Sequence, residues 1–171
     1  LFSNPTFAQT AGVGVCMEIS NIVLTSPNEF TFDINLRNNG STVVGLRGYG
    51  GGINLTPGLG NGGTLTASYV SRDTSLHNIP AVSVGFTSSF NHVRFITTNA
   101  TIGSELTLTP MLPYRLATIK MTTTTSFNPL LGGGYDPFNP TAPSTPLQVL
   151  EEAGKTDCEA NCLVNPALTS S

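Results

Sequence analysis

From residue 29 to residue 37 the chain alternates without a break. Phe30, Phe32, Ile34 and Leu36 fall on one side of an extended strand, and Thr31, Asp33, Asn35 and Arg37 on the other. A period of two with one apolar side predicts a strand lying on a core, its polar side turned to solvent. Residues 13–26 read as the strand before it, joined through the turn residues Ser26-Pro27-Asn28. Asn38-Asn39-Gly40-Ser41 reads as the next turn, built of residues that tolerate a positive φ. Residues 42–55 read as a pair of strands broken by Gly48 and by Gly50, Gly51 and Gly52. Residues 63–71 alternate again, with Leu65, Ala67 and Tyr69 or their neighbours inward. Residues 82–86, 92–97, 105–109 and 115–122 complete the set. Short strands rich in Thr and Val, separated by Gly, Pro and Asn, predict an all-β antiparallel sandwich.

Near Phe127 the pattern changes. Residues 128–146 carry Pro and Gly too often for a helix or a central strand, which predicts an extended tail over a surface. Residues 147–153 read as one or two helical turns, opened by Thr145-Pro146 and stopped by Gly154. The expected organisation is therefore an N-terminal arm over 1–12, a sandwich over 13–127, and a Pro-rich tail over 128–171 with a short helical turn and a cysteine pair.

Composition sharpens this picture. Hydrophobic residues make up 39 % of the 171, enough for a core in one domain, but charged residues only 10 %. A surface of Thr, Ser, Asn and Gly repels its own copies weakly, so subunits can pack closely. Net charge is −3 with seven Lys and Arg in all, and no basic patch is visible, which argues against nucleic acid. No apolar run approaches the roughly 20 residues of a membrane-spanning helix. The segment Leu1-Phe2-Ser3-Asn4-Pro5-Thr6-Phe7-Ala8-Gln9-Thr10 reads either as an arm or as the end of a secretory leader cut near Ala8 or Gln9. The cysteines are Cys16, Cys158 and Cys162. Cys158 and Cys162 are too close in sequence to make a zinc site alone. In an oxidising compartment they either pair locally or one of them pairs with Cys16, within the chain or across subunits.

Residues 15–127 resemble a cohesin-like β-sandwich module of secreted and surface proteins of Bacteroidota. The matching stretches are residues 28–42, Gly50-Gly51-Gly52-Ile53-Asn54-Leu55, Gly62-Gly63-Thr64-Leu65-Thr66 and residues 115–122. The resemblance implies a jelly-roll-like sandwich of about nine strands, export to the cell surface, and non-catalytic binding or scaffolding. It transfers no site residues. The tail after Phe127 departs from the family pattern, in which further domains follow; this points to a polymer subunit.

No catalytic constellation is visible. The carboxylates are sparse, and Glu151-Glu152 sits in the tail as a solvated pair. His77 and His92 lack metal-binding spacing, and no Gly-x-Ser-x-Gly elbow is present. The glycine run at 48–52 lacks the Lys-Ser/Thr of a phosphate loop, so it reads as room for a bulge or for another chain. Asp33, Asn35, Asn38 and Asn39 offer calcium-type oxygens, but no acidic loop frames them. Tyr49, Tyr69 and Tyr135 are the candidate sugar platforms, and Asn39, Asn54 and Asn99 open Asn-x-Ser/Thr sequons.

The expectation is a secreted structural subunit of an extracellular filament, sheath or surface assembly, with no cofactor and no metal, and with copies of itself as partner. Exposed edge strands or an exchanged tail would join the copies. Phe2, Phe7 and Val13 are the candidate contact residues at the N-terminus, and Leu130, Leu131, Tyr135 and Phe138 those in the tail. The alternative is a carbohydrate-binding or adhesive module that takes surface glycans.

Overall fold

The computed structural model describes residues 15–41, 43–46, 48–72, 83–88, 91–96, 106–128, 147–150, 158–160 and 163–164. Its strands are β1 (Val15–Ser26), β2 (Glu29–Asn38), β3 (Val44–Leu46), β4 (Gly48–Asn54), β5 (Leu65–Ser71) and β6 (Ser83–Thr87). They continue as β7 (His92–Ile96), β8 (Leu106–Leu108), β9 (Pro113–Thr123), β10 (Leu147–Leu150), β11 (Cys158–Ala160) and β12 (Leu163–Val164). One five-stranded sheet runs β12-β1-β2-β9-β5, the second runs β11-β10-β4-β7-β6, and β3 pairs with β8 at the side. Every pairing is antiparallel except that of β12 with β1.

The alternation read in β2 is what faces the two sheets together. Phe30, Phe32, Ile34 and Leu36 are all fully buried, and they meet Ile53, Val93 and Phe95 of the second sheet. In β9, Ala117, Ile119 and Met121 line the same core. A bulge where Ile34↔Ala117 gives way to Asn35↔Arg115 resets the parity, so Leu116 is buried as well. Phe127 closes one end. Its ring lies 5.0 Å from that of Phe30, and its N–H donates to Pro27 O at 2.7 Å.

Four expectations change. Residues 147–150 are strand, not helix. A helix of one or two turns is marginal in water, whereas β4 on one side and β11 on the other offer ladder bonds to the backbone of Leu147–Leu150. The glycine run does not interrupt its strand: Gly48–Asn54 is continuous β4. Asp33 and Asn35, read as facing solvent, are buried at 6 % and 9 % exposure. β1 bulges between Ser20 and Val23, with Asn21 at φ 51, and folds the Asn21 amide back over Asp33. The 38–41 turn is closed by the Asn38 side chain, which accepts from Gly40 N–H at 2.9 Å, and not by a positive φ.

Candidate assembly surfaces

Three surfaces stand out: the sheet edges, the outward face of the β4 sheet, and the outward face of the β2 sheet. At the edges, β10 pairs with β4 through Gln148↔Gly50, Val149↔Tyr49 and Leu150↔Gly48, and β11 adds outside it. In the other sheet, β12 covers β1 at only two positions, Met17↔Leu163 and Glu18↔Val164. The described strands after residue 146 therefore complete one edge of each sheet of this chain. β5 and β6 form the opposite edges.

On the outward face of the β4 sheet, alternation sets Gly48, Gly50 and Gly52 on the side opposite the buried Ile53. Next to them on β7 stand His92, Arg94 and Ile96. His92 is folded flat across Gly52. A Cβ on Gly52 would come 2.1 Å from the His92 Cε1. Only glycine fits beneath that ring, so at Gly52 the close approach is made by this chain's own imidazole. The His92 ring is buried, and its Nδ1 lies 3.1 Å from Asn54 Oδ1. Burial pushes the imidazole below its ordinary value, and the Arg94 guanidinium pushes it the same way. Arg94 and Ile96 then project from a bare surface. Their cross-strand neighbours are Gly52 and Gly85, and Gly50 and Ser83, and Ile96 is 63 % exposed.

The outward face of the β2 sheet is a polar network. Asp33 accepts from Thr118 Oγ1 and from Asn21 Nδ2, and Asn35 Nδ2 donates to Ser20 Oγ at 2.6 Å. Arg37 pairs with Glu18 at 2.7 Å. On the other side of β2, at its end, the buried Asn38 donates to Leu108 O at 3.0 Å and holds the 38–41 turn. Of the oxygens considered for calcium, those of Asp33 and Asn38 are thus engaged in bonds that fix strands and the 38–41 turn. Among the described residues no group of His, Cys, Asp and Glu could hold a metal ion. Among them, too, no helix is long and apolar enough to cross a membrane.

Of the residues singled out from sequence, Cys16 lies on β1 and Cys158 on β11, with only their backbones described. Phe2, Phe7, Val13, Leu130, Leu131, Tyr135, Phe138 and Cys162 lie outside the described residues. Tyr69 is half-buried against the core rather than a flat platform. The Asn54 sequon is buried beside His92.

No protein-family model matches the chain, and no curated protein matches it. Solved structures do. A chain of the type II cohesin–X-dockerin complex of Acetivibrio cellulolyticus superposes with a TM-score of 0.50 at 10 % identity, covering 93 % of this chain and 99 % of that one. The second type II cohesin module of the cellulosomal adaptor scaffoldin ScaA of the same organism gives a TM-score of 0.49 at 10 % identity, covering 94 % and 98 %. The fold is a cohesin-like β-sandwich. Within this cohesin-like sandwich β11 and β12 are edge strands and β10 lies just inside β11, which the tail composition concealed.

Proposed function

We propose that this chain is a non-catalytic, secreted structural module of an extracellular or cell-surface assembly, in which copies join by exchanging their C-terminal strands. One observation carries the reading: each sheet is completed at one edge by strands that follow a Pro- and Gly-rich stretch and pair there with β4 and β1. Residues 129–146 can stretch to about 60 Å. A β10 that reaches a neighbour makes there the same Gln148↔Gly50 ladder it makes at home. Exchange of an identical element between copies costs little, and a head-to-tail exchange that does not close grows a fibre. The weakly charged surface supports close packing. Sedimentation and negative-stain microscopy of the full chain test the reading. Oligomers or filaments are expected, and a monomer at every concentration rejects it.

A second reading is favoured by the bare face around Arg94 and Ile96, which suits docking of a different protein. The cohesin of the solved complex is described with an X-dockerin partner. In this reading Ile96→Asp abolishes capture of the partner and leaves self-association intact.

A further inference from the structure

Among the described residues, β12, β5, β11 and β6 lie at the edges of the two sheets, and three of them are blunted. β12 is two residues long, and the run of β1 it leaves uncovered has register shifts at Ser20/Val23 and Leu24/Ser26. β5 carries a shift between Tyr69 and Ser71. β11 is three residues long and includes the charged Glu159. Bulges, short length and charge are the devices that stop an edge from pairing with another chain. β6 has none of them. Its five residues, Ser83-Val84-Gly85-Phe86-Thr87, pair with β7 in unbroken register from Ser83↔Ile96 to Thr87↔His92, without charge or proline.

The same strand reads alike in both directions: polar, apolar, glycine, apolar, polar. Val84 and Phe86 are half-buried on the core side, packed against the core yet not covered by it. We infer that β6 pairs antiparallel with β6 of a second copy about a two-fold axis through Gly85, joining the two sheets that contain β4 into one. This register sets Gly85 opposite Gly85, Val84 opposite Phe86 and Ser83 opposite Thr87. A β-branched residue facing an aromatic one, and hydroxyl facing hydroxyl, are favourable cross-strand pairs. A Cβ at Gly85 would meet nothing within 4 Å, so the backbones can approach there. A two-fold contact of this kind closes on itself. It therefore adds to the head-to-tail exchange of the proposed function, on whose assembly reading it rests, by linking copies laterally.

The register makes a charge test possible in the full chain. Ser83→Lys with Thr87→Lys sets lysine opposite lysine twice. Ser83→Lys with Thr87→Glu sets lysine opposite glutamate twice. The expected result from sedimentation is that the Lys/Lys variant raises the dissociation constant by about tenfold or more and the Lys/Glu variant restores it. Equal association in both variants, or equal loss in both, overturns the pairing. So does a loss of lateral association on deleting residues 1–12 while the charge variants have no effect, which gives this edge to a neighbour's N-terminal arm. In each of those cases the head-to-tail exchange survives if a disulfide between a Gly50→Cys chain and a Gln148→Cys chain still forms on refolding the two together. A wild-type chain that stays monomeric overturns both.

Discussion

At the scale of single residues, the structure rests on a few positions where one atom too many or too few has a named cost. Gly52 is one. In Gly52→Ala the new methyl occupies the space of the His92 ring, which must swing out and give up Asn54. The expected loss is about 1–2 kcal/mol of stability. The exposed imidazole should also titrate at a higher pH in nuclear magnetic resonance. In the wild type, His92 binds its proton less readily folded than unfolded. Its contribution to stability is then complete above about pH 6.5 and is lost as pH falls through the lowered folded value. Denaturant titrations at pH 7.5 and 5.0 should show a lower midpoint at pH 5.0, with a smaller difference in a His92→Gln variant. Asn38 is the other such residue. It is fully buried, bonds Leu108 O and Gly40 N–H through its side chain, and accepts Met111 N–H on its carbonyl. Asn38→Ala orphans the buried Leu108 carbonyl and the half-buried Gly40 N–H, and urea unfolding should show it about 2 kcal/mol less stable than wild type.

At the scale of elements, what the chain shows in advance depends on where the deciding force acts. β2 is legible because its alternation is local and complete, and all four of its apolar residues reach the core. β4 is harder to read, since glycine disfavours strands by itself. What holds it is β7 alongside and the ring of His92 above Gly52, both some forty residues away in sequence. β10 is misread for the same reason: Pro146 and Gly154 signal a helix locally, and the edge of β4 wins. The polar side of β2 looks like surface until the bulge at Asn21 covers it. The candidate contact surfaces follow from strand order, which no window of sequence contains. Val149→Pro tests the assigned role of β10. Proline removes the Val149 N–H from a strand flanked by β4 and β11. Hydrogen exchange at Gly48–Gly50 should speed up about tenfold or more, while β2 and β9 amides keep their protection.

At the scale of the whole molecule, the account is of a sandwich finished by its own late strands, with those strands able to finish a neighbour instead. The proposed joining of copies needs only edges and faces and no cleft. The central claim is that a β10 can lie on another copy's β4, and ladder partners make it directly measurable. Two full-length variants, Gly50→Cys and Gln148→Cys, are unfolded together, refolded as a mixture and mildly oxidised. Mass spectrometry of the digest then identifies any 50–148 disulfide. The account predicts that link between unlike chains of the mixture. A 50–148 link that forms readily within the double variant, yet never between unlike chains of the mixture, would contradict it.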